Sequence, residues 1–372
     1  MKFLHVADLH IGRKIEGVHS LIEDQRHILK QVLSFAKNVD AVLIAGDVYD
    51  KTQPAQEALE LFGSFLYELS KLHKPVFIIS GNHDNAAQIA YLKNIISDNN
   101  IFVSPPYAGE LEKFTLQDEY GQINIWLMPF LRPFQVKRHL DENISGYDEA
   151  ISAAIEHENI DFSKRNVLIM HQFVLGGERS DSEERSIGGL DCITTDAIMG
   201  FDYVALGHLH KCQRAGSDNI RYSGSPLAYS LSEEKHQKCA LIIDIKEKGD
   251  INIQKLPFEP IRKVRTLEGY LKDLVKETDN TDDFVYVVLK DDPKTLFDPG
   301  SAILSHYKNN IGWRYIKTEG EAVDAVEQEF DENKSLIEHF GDFYAQQHFG
   351  EELDEERLKI IKQAIKFMEE NP

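Results

Sequence analysis

The sequence predicts an α/β protein in which two mixed β-sheets pack together with helices on the outside. Two observations favour this fold. In the first part of the chain, apolar β-rich runs alternate with amphipathic helical segments, a rhythm typical of parallel strands joined by crossover helices. In the second part, up to about residue 258, strands dominate. The length of 372 residues is also too great for one typical core, so two or three domains are expected.

Five apolar runs predict buried strands, and polar residues follow each of them. The runs are residues 3–7, 41–45, 76–80, 167–170 and 203–206. Amphipathic helices are predicted over residues 20–37 and 55–72, because apolar residues recur there at helical spacing.

The strands of the second part are shorter and separated by turns. Runs 114–116 and 123–128 flank Glu119-Tyr120-Gly121-Gln122, which predicts a hairpin. Further strands are predicted over residues 220–223, 239–245 and 251–256, the last two joined by a turn at Lys248-Gly249-Asp250.

Pro257 and Pro260 mark a predicted boundary, so that residues 1–258 form the main domain. Residues 261–318 predict a small α+β domain with strands at 262–265, 284–289 and 313–317 and helices at 267–276 and 301–308. Residues 321–372 predict a linker and two amphipathic helices that break at Phe349-Gly350-Glu351. So small a hairpin buries little by itself, so its apolar stripe needs either its own domain or another chain.

Composition places the chain among folded soluble proteins, with 42% hydrophobic and 28% charged residues. The sequence has no apolar run of about eighteen residues and no signal-peptide pattern at its start. Three cysteines form no CxxC motif, which favours reduced thiols and a cytoplasmic location.

The formal net charge of −21 argues against a nucleic-acid partner, which usually requires a basic surface. However, residues 321–372 carry fifteen acidic and five basic residues, a net charge of −10. Metal ions at a site would also add positive charge where a phosphate docks. The charge therefore weakens a DNA-binding interpretation without excluding it.

Residue types that bind metals follow all five predicted strands. They are Asp8, His10, Asp47, Asn82, His171, His208 and His210, with His83 and Asp84 beside Asn82. The carboxyl ends of strands in an open α/β sheet line one crevice, so these residues are expected to converge. A set of Asp, His and Asn without Cys favours manganese or iron over a thiolate zinc site.

The spacing within the motifs supports this interpretation. Asp8 and His10 lie two residues apart at a strand end, so their side chains are expected to face the same way, and His208 and His210 repeat the pattern. Asp84 is expected to accept a hydrogen bond from the imidazole of His83 and fix its orientation.

Each motif alone has a simpler explanation. A histidine near a strand end is commonly a hydrogen-bonded surface residue, and Asp47 could cap a helix. The nearest predicted helix begins only near Pro54, however, which makes capping the weaker explanation for Asp47.

The series Asp-x-His, Gly-Asp, Gly-Asn-His-Asp, His and Gly-His-x-His resembles the signature of the calcineurin-like metallophosphoesterases. Residues 6–12, 207–210 and 222–226 resemble, more narrowly, the family of double-strand-break repair nucleases within that superfamily. The resemblance implies an αββα sandwich with a small α+β capping domain and a C-terminal helical hairpin.

The resemblance also implies two metal ions per subunit, Mn²⁺ with Fe²⁺ or Mg²⁺ possible. Asp8, His10, Asp47 and His210 would hold the first metal. Asp47, Asn82, His171 and His208 would hold the second, with Asp47 bridging. His83 would donate a proton to the leaving 3′ oxygen or steady the phosphate.

The activity that the resemblance implies is cleavage of DNA ends and hairpins, by 3′–5′ double-strand exonuclease and single-strand endonuclease action, in DNA repair and recombination. A coiled-coil ATPase partner would dock on residues 321–372, and a homodimer would form through helices near residues 53–72 and 86–97. The sequence has no Walker A motif, so any ATP dependence must come from another chain.

Three features leave alternatives open. The resemblance implies that residues 176–189 form a mobile loop near the site; the loop carries at least as many acidic as basic residues, which favours mobility over contact with DNA. The basic run Arg262, Lys263 and Arg265 is either a DNA contact or a solvated edge. The same metal site would also suit a phosphatase or cyclic-nucleotide phosphodiesterase acting on small phosphoesters, or a scaffold that has lost its metals.

Overall fold

The structure is a computed structural model that describes residues 1–16, 19–140, 143–183, 192–316, 357–359 and 361–362. Residues 1–316 form one compact unit, and residues 317–372 are assigned to a second. The architecture below is that of the first unit.

The first sheet of the main body has six strands in the spatial order β16-β15-β1-β4-β5-β6. Its strands are β1 (Lys2–Val6), β4 (Ala41–Ala45), β5 (Val76–Ile79), β6 (Ile101–Val103), β15 (Cys239–Ile245) and β16 (Ile251–Pro257). Strands β1, β4, β5 and β6 run parallel, whereas β15 and β16 are antiparallel to their neighbours. The crossover connections therefore produce the parallel arrangement that the sequence predicts.

The second sheet also has six strands, in the order β13-β14-β12-β9-β8-β7. Its strands are β7 (Glu112–Asp118), β8 (Gly121–Met128), β9 (Arg165–His171), β12 (Tyr203–Gly207), β13 (Gln213–Ala215) and β14 (Ser217–Tyr222). The predicted hairpin is β7 and β8, and β8, β9, β12 and β14 are parallel to one another.

Helices cover the outer face of each sheet. In the described chain these helices are α1 (Ile22–Ala36), α2 (Gln56–Ser70), α3 (Ala86–Ile89), α4 (Lys93–Ile96), α5 (Pro133–Lys137) and α6 (Tyr147–His157). Two further helices, α7 (Leu271–Leu274) and α8 (Pro299–His306), pack against a small third sheet. The two long predicted helices match α1 and α2 to within two residues at each end, the usual uncertainty of a helix terminus.

Three layers of core explain why the strand sequences are almost continuously apolar. Alternate residues of β1, such as Leu4 and Val6, pack outward against α1 and α2, while Phe3 packs inward against the second sheet. The outer face of the second sheet buries Leu168 and Val204 against α6. Sheets covered on both faces need apolar side chains on both, and the predicted two-sheet α/β sandwich is confirmed.

The small C-terminal sheet of this unit contains β17 (Val264–Gly269), β18 (Phe284–Leu289) and β19 (Asn310–Tyr315), all parallel. It has a core of its own around Val287 and Tyr307, but Phe284 packs into the core of the main body. We keep as a proposal the division into a main domain of residues 1–258 and a capping domain of residues 261–318.

One helix that the sequence predicts beside this sheet is wrong. The sequence pattern predicts a helix over residues 267–276, but β17 continues through Gly269 and helix α7 spans only Leu271–Leu274. The cause is tertiary: Leu267 lies opposite Val287 in the parallel ladder and packs into the small core. Burial and strand pairing outweigh the local helical spacing.

Two short strand pairs complete the unit, β2 (Lys14–Ile15) with β3 (His19–Ser20), and β10 (Phe173–Val174) with β11 (Cys192–Ile193). The predicted helical hairpin of the tail lies outside the described residues, except that residues 357–359 and 361–362 are helical. Within the described part of the chain, no helix has the length and apolarity needed to cross a membrane.

Candidate metal centre

All seven predicted ligands lie at the carboxyl ends of five strands, and the two sheets bring these ends together. The ligands are Asp8 and His10 after β1, Asp47 after β4, Asn82 after β5, His171 at the end of β9, and His208 and His210 after β12. The five strands belong to two sheets rather than one, and packing of the sheets places β4 against β9 and β12.

The backbone at the ligands is strained. Asp8, His10, Asp47 and His208 have φ angles of 52°, 41°, 47° and 108°. These left-handed conformations cost of order 1 kcal/mol or more for residues other than glycine. Asp8 and His10 face the same site, as expected, but the cause is not strand alternation: both lie beyond the strand, and a left-handed turn directs them to the site.

Glycine at two positions permits the close approach of the sheets. A Cβ on Gly207 would overlap the carbonyl oxygen of Ala45 and lie 2.6 Å from Nδ1 of His171. A Cβ on Gly46 would also collide with that ring and lie 2.9 Å from the Gly81 nitrogen. The absence of side chains here lets His171 Nδ1 reach the Ala45 carbonyl oxygen, 2.8 Å away.

The first half of the site surrounds two facing imidazoles. The Nε2 atoms of His10 and His210 lie 3.0 Å apart, and Nε2 of His10 lies 3.5 Å from Oδ2 of Asp47. Ligand atoms of Asp8, His10 and His210 all lie within 4.8 Å of one another. At least one of the two facing nitrogens must present a lone pair, which suits a shared cation.

The second half surrounds the amide oxygen of Asn82. This oxygen lies 3.1 Å from Nε2 of His171 and 3.0 Å from Nδ1 of His208. Nε2 of His171 also lies 3.3 Å from Oδ2 of Asp47. Asp47 therefore contacts both halves, in the position that a bridging carboxylate would occupy.

These residues fit a metal. Among the described residues, Oδ2 of Asp8 and Nδ1 of His10 are buried and have no hydrogen-bond partner, an arrangement that is costly without a cation nearby. The nitrogen and oxygen donors match the preference of Mn²⁺ or Fe²⁺. Buried ligands of this kind do not fit a metal-free scaffold well.

Burial and mutual charge set the protonation of the ligands. Burial lowers the pKa of His10 well below its ordinary value and that of His208 to about 3. Burial also raises the pKa of Asp8 well above the ordinary value. For Asp47, burial is outweighed by His171 and His10, which hold the pKa well below its usual range.

Metal binding is expected to release a proton from His171. Burial opposes its charge, but the carboxylates of Asp47 and Asp8 raise its pKa to about 9, so the metal-free imidazole is protonated at pH 7. Metal and proton compete for Nε2, so metal affinity should rise about tenfold per pH unit up to about pH 9. Calorimetric titration with Mn²⁺ in buffers of different ionisation enthalpy measures the release; a flat affinity from pH 6 to 9 would contradict it.

His83 lies at the edge of the site, half-buried. Its backbone N–H donates to Oδ1 of Asp47 (2.9 Å), and its Nδ1 lies 2.9 Å from the carbonyl oxygen of Asp50. Its ring stands perpendicular to that of His10, with centroids 4.8 Å apart. His10, Asp50 and His83 form a further group that could hold a metal, one that the sequence did not predict.

Asp84 has a different role from the one expected. Its carboxyl group accepts hydrogen bonds from the backbone N–H groups of Val48, Tyr49 and Gly81 at 2.9–3.0 Å, not from the imidazole of His83. Burial, together with Asp47, raises the pKa of Asp84 to about 6. Asp84 thus ties the loop after β5 to the loop after β4 and positions His83 through the backbone.

Sequence reasoning missed the residues that surround the ligands. Tyr229 packs edge-on against the rings of His10 and His210, and Phe130 stacks near His208. Ser182 and Glu233 contact His210. Phe130 follows the predicted strand 123–128 at the same spacing as Asp47 follows 41–45, but phenylalanine is not a metal-binding type. Ser182 lies in the loop 176–189 that is expected near the site, whereas Tyr229 and Glu233 follow no predicted strand directly.

Comparison with known proteins agrees with this geometry. Residues 1–212 match the calcineurin-like phosphoesterase family. The chain is 30% identical over 362 residues to the D subunit of the nuclease SbcCD from Staphylococcus epidermidis, covering 94% of this chain and 95% of that protein. This confirms the resemblance to the repair-nuclease family.

Two solved structures are also similar. An archaeal phosphodiesterase shares 13% identity with a TM-score of 0.31, over 69% of this chain and 100% of that one. A Thermus thermophilus protein shares 11% identity with a TM-score of 0.35, over 68% of this chain and 98% of that one. Both TM-scores are below 0.5, so the family assignment depends on the sequence matches alone. On those matches, the chain belongs to the calcineurin-like phosphoesterase family and is a metal-dependent phosphodiesterase.

Proposed function

We propose that this chain is the Mn²⁺-dependent DNA nuclease subunit of an SbcCD-like complex, acting in the cytoplasm in DNA repair and recombination. It would cleave DNA ends and hairpins, as 3′–5′ double-strand exonuclease and single-strand endonuclease, together with an SbcC-like ATPase. The observation that carries the proposal is the convergence of seven residues with nitrogen and oxygen donors beside His83. The similarity to a nuclease subunit along nearly the whole chain supports it.

In this proposal the ligands divide into the two sets given above. Asp8, His10 and His210 would hold one metal, Asn82, His171 and His208 would hold the other, and Asp47 would contribute to both. When bound there, metal ions would supply activation of water and stabilisation of the attacking and leaving oxygens of an in-line displacement. The same ligand set would serve Fe²⁺ or Mg²⁺, although the nitrogen donors favour Mn²⁺ or Fe²⁺.

Two further residues, His83 and Asp84, would act on the substrate or position the group that does. His83, in its imidazolium form, would donate the proton of Nε2 to the leaving 3′ oxygen. The contact of Nδ1 with the Asp50 carbonyl oxygen orients the ring, because a backbone carbonyl accepts only from a protonated nitrogen. Asp84 would keep the backbone of His83 in place relative to Asp47.

A groove beside His83 offers a path for the DNA backbone. The groove has a volume of about 630 Å³ and is lined in part by Arg13, Lys14 and Lys51. Lys14 and Lys51 are exposed, while Arg13 is paired with Asp50 at 3.2 Å. Positive side chains next to the reactive centre bind phosphates despite the acidic overall charge, because screening makes the nearest charges dominate.

Neutralising Lys14 and Lys51 is expected to weaken DNA binding. In the double variant Lys14→Gln with Lys51→Gln, the slope of log DNA affinity against log salt concentration should become shallower by about one to two, which corresponds to one to two lost phosphate contacts. Hydrolysis of bis-p-nitrophenyl phosphate, which is too small to span the groove, should not change. DNA affinity measured at several salt concentrations checks the result, with Lys246→Gln as an exposed control; an unchanged salt slope would place the DNA elsewhere.

The net acidic charge disfavours DNA binding and so favours a second candidate function, a phosphatase or cyclic-nucleotide phosphodiesterase that acts on small phosphoesters. One experiment separates the two. The purified chain is incubated with Mn²⁺ and end-labelled duplex or hairpin DNA, with and without the ATPase, beside a small phosphodiester. Cleavage of DNA supports the nuclease, whereas turnover of the small ester with DNA uncut in every combination overturns it.

We propose that the ATPase binds through residues 321–372, which lie almost wholly outside the described residues. Truncation after residue 320 should abolish co-purification with the ATPase and leave the metal content unchanged, because every ligand precedes that position. The described fold of residues 1–316 as one compact unit makes this truncation practicable. Co-purification that survives truncation would place the docking surface elsewhere.

A homodimer is proposed through α2, α3 and α4. In these helices and the segment between α3 and α4, Tyr67, Tyr91 and Ile95 expose 63%, 81% and 66% of their surface. Large exposed apolar side chains are candidates for an interaction surface.

A further inference from the structure

His210 has a network of buried and partly buried polar partners on the side of its ring away from the metal centre. Its Nδ1 lies 2.7 Å from Oγ of Ser182 and 3.3 Å from Oε1 of Glu233. Its Nε2 faces His10, 3.0 Å away. One ring nitrogen thus faces the site and the other faces these two partners.

The donors and acceptors of this network can be assigned. Oγ of Ser182 is also within hydrogen-bond distance of the Glu233 carboxylate, which accepts only. The Ser182 hydroxyl therefore donates to Glu233, and its lone pair accepts the Nδ1–H of His210. With the proton on Nδ1, the lone pair of Nε2 is directed into the metal centre.

Glu233 is itself held in place. It is fully buried, and it pairs with Lys238, whose side chain is 9% exposed. Nζ of Lys238 also donates to the carbonyl oxygen of His210 (2.9 Å) and to Oγ of Ser225 (2.8 Å). Oε1 of Glu183 accepts the backbone N–H of His210 at 2.6 Å.

The network joins three separate segments. Ser182 and Glu183 belong to the loop that follows β10, His210 follows β12, and Glu233 and Lys238 precede β15. Side chains from these distant segments meet around this histidine. Burying charged groups costs desolvation free energy even when they are fully hydrogen-bonded. The presence of such an arrangement around His210 therefore indicates a role at the site.

We infer that Glu233, acting through the hydroxyl of Ser182, is a positioning residue that fixes the tautomer and orientation of His210 and thereby sets the affinity of the first metal. The inference depends on the proposed role of His210 as a ligand. Partners of this type typically change metal affinity about 10–100-fold.

The test is a calorimetric titration of the metal-free full-length chain with Mn²⁺. Ser182→Ala and Glu233→Gln should each weaken one of the two Mn²⁺ sites about 10–100-fold and leave the other unchanged. Ser182→Thr, which keeps the hydroxyl, should restore the affinity. Glu234→Gln is the matched control, because the neighbouring carboxylate bonds to Thr266 and not to His210.

Thermal unfolding of each metal-free variant separates positioning from folding. Glu233→Gln leaves Lys238 buried without its charge partner and can destabilise the chain. Ser182→Ala removes one hydroxyl from a partly buried loop residue, so it decides the question if Glu233→Gln does not fold.

His210→Ala distinguishes the two levels of the proposal. If this variant still binds two Mn²⁺ ions with the original affinities, the ligand assignment fails. If His210→Ala loses one site but Ser182→Ala keeps the affinity of the unaltered chain, the positioning of His210 by Glu233 through the Ser182 hydroxyl is overturned and the proposed function stands.

Discussion

Replacing His83 by leucine is expected to abolish phosphodiester cleavage, a loss of about 10²–10⁴-fold, while both metal ions stay bound. The proposed division of roles makes His83 a proton donor to the leaving oxygen and not a ligand. Its ring is oriented by the carbonyl oxygen of Asp50, and its backbone by Asp47. Single-turnover cleavage and elemental analysis of the same preparation measure the two properties together.

The control for this variant is His157→Leu, since His157 is an exposed residue at the end of α6, on the outer face of the second sheet. It should retain both metals and full cleavage. Loss of the metals from the His83→Leu variant would contradict the role of His83 as a proton donor. It would favour instead a metal site formed by His10, Asp50 and His83.

The second large effect is expected for Asp47→Asn, which should lose metal from both sites. Asp47 lies 3.5 Å from His10 and 3.3 Å from His171, one ligand from each half. A neutral amide cannot bridge two cations as a carboxylate does. Each metal should therefore bind at least about 100-fold more weakly, since changes to residues outside the ligand set already cost 10–100-fold.

Asp40→Asn provides the comparison, because Asp40 precedes the same strand, β4, at the end opposite the site, where its carboxylate accepts the backbone N–H of Lys2. It should bind metal as the unaltered chain does. If Asp47→Asn lost one metal and kept the other at full affinity, Asp47 would be a terminal ligand and not a bridge.

The parts of the fold that can be predicted from the sequence are those with a strong local pattern. Runs such as residues 41–45 are apolar throughout because both faces of β4 are buried, and α2 shows apolar residues at helical spacing because one face is buried. The ends of such elements can be placed to within about two residues. The polar residues directly after these strands then indicate the site, because the carboxyl ends of parallel strands lie at the same edge of a sheet.

What escaped prediction depends on contacts distant in sequence. The strand at Leu267 is fixed by Val287, and the partner of His210 at Glu233 lies 23 residues further along, in no recognisable motif. The left-handed turn at Asp8 and His10 is likewise imposed by hydrogen bonds to the Gly46–Asp47 loop, Asp8 N–H to the Gly46 carbonyl and His10 N–H to the Asp47 carbonyl. These partners cannot be predicted from the N-terminal segment alone.

The measurement that most directly tests the two-metal account is anomalous X-ray scattering at the manganese edge from crystals of the chain grown with Mn²⁺. Two peaks about 3.5–4 Å apart, with Asp47 between them, are expected. One peak should lie among Asp8, His10 and His210, and the other among Asn82, His171 and His208. A single peak, or a peak enclosed by His10, Asp50 and His83, would contradict it.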